Sequence, residues 1–432
     1  MRRAALSLVS ALFFFFSLTL SVSAADKKVL TFAHWGSPLE KEAMAQMCQS
    51  FEKAHPDIIV NVLYTPVNYD ERLSAMVAGG IAPDVAYCHE GPAFSWAADG
   101  VIMDLKPFID KDPDASIASR VPASWYWFDK GKKILGASIA GEIMLLFYNK
   151  DLFDQFGVPY PPSDPDKPWT WDQFVDAAKK LTRMSGGQRT FGVSLGTWPG
   201  PILPFVRSNG GDFISSDGTT PLVDSPATIE VLQKLADLMN VYHVAPTPTD
   251  LESSRALDVN MQSKQVAMAV DGQWELLDLA KAGFRVGVAP LPVFKKPVAL
   301  FLGAPLVIFS STKHPKEAWE LSKWIQSVQN SLENYRNGLW MPIQTKWYKD
   351  PELLAKWVTS DAHPPEYRQA VADYLVKYGS QYPSFYLNDW DDIQRVIIQD
   401  LSDLWLGKED AKTAASKIAA DLKPLLHGRT DK

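Results

Sequence analysis

The stretch ILGASIAGEIMLLFYNKDLF, residues 134–153, decides how the chain is read. It opens as an apolar run broken by Gly136 and Gly141, then continues as Ile143-Met144-Leu145-Leu146-Phe147-Tyr148 and ends in the polar turn Asn149-Lys150-Asp151. A strand that is apolar on both faces lies inside a sheet covered by helices. One carboxylate, Glu142, interrupts the apolar part. A buried carboxylate needs a partner, from the protein or from a ligand. The stretch is expected to cross between two lobes, with the two glycines permitting the bend and Glu142 turned into the cleft as a hydroxyl acceptor.

The 432-residue length exceeds one ordinary core and implies two domains. The first 25 residues read as a secretory leader. Arg2 and Arg3 precede the apolar run Ala4–Leu20, and Ser21-Val22-Ser23-Ala24-Ala25 supplies small residues for cleavage. An exported, periplasmic protein is expected. The net charge is −7, and losing Arg2 and Arg3 with the leader takes it to −9. This acidic balance, without basic blocks, argues against nucleic-acid binding. Cys48 and Cys88 leave one disulfide and two buried thiols both open. No Cys/His spacing suits zinc, so neither a metal nor a cofactor is expected.

Strand, helix, strand, helix, strand is the reading from Val29 to Tyr87, which makes an open, mainly parallel α/β sheet. Ligands of such sheets sit at the carboxyl ends of the strands. Those loops here carry Trp35, Ser37, His89 and Glu90. Further on, Thr170 and Gln173 form a capping-box pattern, and prolines open helices at Pro226 and Pro315. The C-terminal part from Asp350 to His427 reads as mostly helical.

A strand end followed by a loop with Gly and Trp recurs at His34-Trp35-Gly36, Thr197-Trp198-Pro199-Gly200, Asp271-Gly272-Gln273-Trp274 and Gly338-Leu339-Trp340. Asn388-Asp389-Trp390 adds a fifth loop tryptophan. A single loop tryptophan more often plugs a core, but five at strand ends favour a site. Sugar rings present flat C–H faces for aromatic stacking, and their hydroxyls need fixed carboxylates and amides. Glu142, Glu90, Asp271 and Asn388 are the candidate polar half.

Several stretches resemble the extracellular solute-binding proteins that serve carbohydrate importers of the ATP-binding-cassette class. They are residues 51–57 (FEKAHPD), 78–85 (AGGIAPDV), 146–153 (LFYNKDLF), 169–174 (WTWDQF), 267–274 (AMAVDGQW) and 313–319 (KHPKEAW), in order along the chain. The resemblance implies two α/β lobes of the type II periplasmic-binding-protein fold, each an open mainly parallel sheet flanked by helices. It implies crossings near residues 135–145, 284–292 and 338–344. The expected division is residues 26–137 with 288–340 for the first lobe, and 138–287 with 341–432 for the second. Position within the family assigns the ligand site to Trp35, Ser37, His89, Glu90, Glu142, Trp198, Asp271, Gly272, Trp274, Gly303, Trp340, Asn388 and Trp390. An aromatic that maltose-type members carry after the third strand is Cys88 here, or is displaced.

The implied function is delivery of a sugar or small oligosaccharide to the membrane permease of an importer, by a monomer. Two alternatives remain. A polyol, glycerol-phosphate-type or other anionic ligand would want a cation in the cleft, and Arg207, Arg255 and Arg336 fall in no strand-end loop. A secreted glycoside hydrolase would need two facing carboxyl groups, for which Glu142 with Glu90 or Asp271 is the available pair.

Overall fold

The computed structural model describes residues 27–185, 187–250 and 257–432, so the expected leader and Arg255 lie outside the described residues. Fourteen strands follow in chain order: β1 (Lys28–His34), β2 (Ile58–Tyr64), β3 (Val85–Tyr87), β4 (Trp125–Phe128), β5 (Lys133–Ser138), β6 (Glu142–Asn149), β7 (Arg183–Ser185), β8 (Gln188–Thr190), β9 (Ser194–Leu195), β10 (Met268–Gly272), β11 (Val286–Ala289), β12 (Ala299–Leu302), β13 (Pro305–Ile308) and β14 (Gly379–Gln381).

They form two main sheets. The first runs β2-β1-β3-β13-β5-β4, and the second β14-β12-β6-β10-β9 with β11 also on β6. All eight residues of β6 are buried. Its N-terminal half pairs with β12, its C-terminal half with β11, and its other edge with β10. The apolar run therefore has no face or edge in water, which explains why its sequence lacks alternation.

Both sheets are mixed rather than uniformly parallel. The β1–β2, β1–β3, β9–β10 and β12–β14 pairs are parallel. β13 and β5 run against their neighbours, as do the three strands beside β6. The reversal follows from the crossings, because a strand that returns from the other sheet enters from the opposite end.

The first crossing is the three residues Ile139–Gly141 between β5 and β6. The second is Gly303–Ala304 between β12 and β13. They lie side by side, with Ile139 N donating to Ala304 O at 3.0 Å. Met341 joins them through paired backbone bonds with Gly141 at 2.8 and 2.9 Å. The second crossing is thus later than the expected 284–292. β11 and β12 both belong to the second sheet, and the first sheet resumes only at Pro305. The division at residue 288 is corrected accordingly. The glycines also act differently from expectation, since neither Gly136 nor Gly141 has a positive φ. A Cβ on Gly136 would come within 2.6 Å of Leu306 O, and one on Gly141 within 3.0 Å of the Phe301 ring. They permit close approach, not a bend.

Local chemistry sets the helices. Ser37 caps Pro38–Ala54 in a capping box with Glu40, and Thr170 caps Trp171–Leu181 in one with Gln173. Met44, Met47, Cys48 and Phe51 turn inward as a helical stripe. Cys48 and Cys88 are buried free thiols, and burial pushes Cys48 up to about 12. Asn149-Lys150-Asp151 is no open turn. The Asn149 side chain accepts from Asp151 N and Leu152 N and caps the helix Lys150–Phe156.

Leu146 is fully buried between Val270 and Ala289. Leu146→Ala is expected to cost roughly 2–5 kcal/mol, read as a lower urea midpoint with an unchanged slope.

Candidate functional site

A cleft of about 800 Å³ lies between the two sheets and reaches the crossings. Trp35, Ser37, Glu40, Asp70, Tyr87, His89 and Glu90 line it from the first lobe. Trp198, Trp274, Glu275, Asp278, Tyr382, Trp390 and Asp391 line it from the second, and Glu142, Leu302, Gly303 and Leu339 close its base. The lobes touch across it. Ser384 Oγ donates to Glu90 Oε1 at 2.8 Å, and Gln381 Nε2 donates to Ala123 O at 3.0 Å.

Nine expected site residues meet on this cleft: Trp35, Ser37, His89, Glu90, Glu142, Trp198, Trp274, Gly303 and Trp390. Four do not line it. Trp340 is fully buried, edge-on to Tyr335 at 6.3 Å, and plugs the core. Its neighbour Leu339 takes the cleft position. Asn388 is exposed, one residue outside the buried turn that ends at Leu387. Asp271 turns its carboxylate back onto its own strand end, where Oδ1 accepts from Gly272 N at 2.7 Å. Gly272 sits behind Trp274 and acts through it.

The aromatic residues have different roles. Trp35 is already stacked by neighbouring rings, Tyr87 at 3.9 Å and 9° and His89 at 4.1 Å and 25°. Trp390 is only 2% exposed and meets Tyr382 edge-on at 4.9 Å. Trp198 and Trp274 are the open platforms. Each lies flat on a glycine, since a Cβ on Gly200 or on Gly272 would come within 2.1 Å of the ring beside it. Trp274 is also tethered, its Nε1 donating to Glu275 Oε1 at 3.1 Å. One backed face and one open face is the arrangement a pyranose ring stacks on.

Carboxylates dominate the polar lining. Burial lifts Glu40 and Glu90 to about 7, and Glu142 well above the carboxylate range, with Glu40 and Glu90 adding like charge to Glu142. Glu275 rises to about 8 through burial and the nearby charge of Asp271, itself lifted to about 6 by burial. His89 pairs with Asp70 at 2.8 Å. Burial opposes the imidazolium, but Asp70 outweighs it and the pKa rises. Glycines make room for two of the acids. A Cβ on Gly36, at φ +132°, would strike the Glu40 carboxylate at 2.1 Å, and one on Gly91 would strike that of Asp391 at 2.0 Å.

Glu40, Asp70, Tyr87, Glu275, Asp278, Tyr382 and Asp391 were absent from the expected set. Glu275 and Asp391 each directly follow a tryptophan that was included, and Tyr382 directly precedes the Pro383–Trp390 loop. Adjacency to those residues was the available signal. Among the described residues, no group of three or more His, Cys, Asp or Glu is arranged to hold a metal ion.

Carboxyls with raised pKa bind more protons folded than unfolded from the ordinary Glu value of 4.5 up to about 7–8. Folded stability therefore falls as pH rises through that window. The ligand-free melting temperature is expected to drop by several degrees from pH 5 to pH 8. Replacing Glu90 and Glu275 by Gln should flatten the profile.

Comparison with known proteins accords with this geometry. The family model described as bacterial extracellular solute-binding protein matches residues 33–331. The chain is 24% identical over 431 residues to the sn-glycerol-3-phosphate-binding periplasmic protein of Salmonella paratyphi A, covering 92% of this chain and 93% of that one. It is 26% identical over 307 residues to an arabinooligosaccharide-binding protein of Halalkalibacterium halodurans, covering 67% and 65%. Among solved structures it matches an ABC substrate-binding protein from Listeria monocytogenes in complex with cycloalternan. The TM-score is 0.82 at 26% identity, covering 92% of this chain and 99% of that one. The chain belongs to the bacterial extracellular solute-binding proteins.

Proposed function

We propose that this protein captures a sugar or small oligosaccharide in the cleft between its lobes and delivers it to the membrane permease of an ABC importer. The observation that carries the reading is the pair of glycine-backed platforms, Trp198 and Trp274, facing a cleft whose polar lining is mostly hydrogen-bond acceptors. Stacked rings take the C–H faces of a sugar, and carboxylates take its hydroxyls. A ligand touching both lobes stabilises their closed arrangement, which is the form a permease would distinguish from the open one. Relatives named for arabinooligosaccharide, maltotriose and cycloalternan binding support a carbohydrate.

The relative named for sn-glycerol-3-phosphate raises the anionic alternative. The lining disfavours it. Among the described residues the side-chain cations on the cleft are Arg395, engaged by Asp392, and His89, engaged by Asp70. Arg207 is spent on Asp212, Ser380 and Gln381 O. A phosphate entering this cleft would meet more carboxylate than cation. The family consists of ligand-binding transport proteins, so the reading is binding without hydrolysis. Export behind a cleaved leader into the periplasm, and action as a monomer, complete the proposal.

Isothermal calorimetry of the mature chain against mono- to tetrasaccharides is expected to find a ligand. Trp274→Ala and Gly272→Ala should each weaken it by about tenfold or more. Trp340→Phe should lower the melting temperature and leave affinity within about twofold, as expected of a core plug. No binding anywhere in the panel would refute the carbohydrate reading.

A further inference from the structure

The charge census of the cleft points beyond a neutral sugar. Glu142 opens β6 at the base, is 8% exposed, and lines the cleft. Among the described residues, no hydrogen-bond donor engages its carboxyl. What it meets instead are the negative fields of Glu40 and Glu90. The neighbours are only partly engaged. Glu40 Oε2 accepts from Ser37 N at 3.3 Å, and Glu90 Oε1 accepts from Ser384 Oγ at 2.8 Å. The Tyr126 hydroxyl lies 3.3 Å from Glu90 but is already committed to Gly303 O at 2.6 Å.

Three carboxyl groups, Glu142, Glu40 and Glu90, thus line one cleft, and the charges of the latter two bear on Glu142. Each has acceptor capacity to spare; of the two cations of the wall Arg395 is engaged by Asp392, and His89, paired with Asp70, also bears on its neighbour Glu90 but not on Glu142 or Glu40. A hydroxyl offers such a cluster one donor and no charge. A protonated amine offers three donors and the positive charge that relieves the mutual repulsion. We infer that the ligand is a carbohydrate bearing a protonated amine, seated with its ammonium group among Glu142, Glu40 and Glu90 and its rings on Trp198 and Trp274. This rests on the carbohydrate reading and narrows it.

The test is calorimetry on the full mature chain with three matched probes: the β-1,4 disaccharide of glucosamine, its N-acetylated form and the hydroxyl parent cellobiose. The amine is expected to bind about tenfold or more tightly than either counterpart, as buried charge pairs do. Two variants check the cause. Glu142→Gln keeps the shape and removes a charge. Glu40→Gln does the same and retains a residue that completes the capping box with Ser37. Each should bring the amine-to-hydroxyl affinity ratio down severalfold, with melting temperatures confirming that the variants fold. Equal or tighter binding of cellobiose overturns the inference and leaves the carbohydrate reading standing. Binding by none of the three probes also overturns it, and the neutral-sugar panel then decides the broader reading separately.

Discussion

The structure depends on how tightly β6 is held at its start. Glu142 begins a strand whose every residue is buried. The three residues before it leave the first sheet beside Gly303–Ala304 and Met341. Three chain segments therefore meet in one hydrogen-bonded patch. That patch links the two sheets. It also places Glu142 on the wall of the cleft. The buried apolar strand fixes the position of the carboxylate, and the expense of an unpartnered carboxylate makes that position one that a ligand can relieve.

Much of this was legible in the residues. The double-sided apolar run of Ile143–Tyr148 requires an interior strand, and no helix of that length would end so cleanly on an Asn cap. Loop tryptophans next to glycine marked two surfaces that became platforms, because glycine is the residue that lets an indole lie flat on the backbone. The same pattern over-read Trp340, since Gly338-Leu339-Trp340 has the spacing of a platform but the ring points into the core. Trp35 does line the cleft, but Tyr87 and His89 are already stacked on it. Which face of a ring is free is a tertiary fact and leaves no local trace.

Most acidic residues were missed for a related reason. Glu40, Glu275, Asp278 and Asp391 sit in first helical turns, where acids are common for capping and dipole reasons alone. Their sequence context is identical whether the helix end faces water or a cleft. The second crossing was placed too early because Val286–Leu291 has the apolar character of a crossing strand, whereas the true step at Gly303 is two residues long. Its only mark is a glycine whose Cβ would strike Ser138 Oγ at 1.9 Å.

The most direct measurement is a crystal structure of the protein with the ligand it retains through mild purification. The expected result is a sugar stacked on Trp198 and Trp274 with a polar group against Glu142, and both lobes in contact with it. Density confined to the outer groove between the helix Pro38–Ala54 and β2, or a ligand that leaves Glu142 and the two tryptophans untouched, would contradict it.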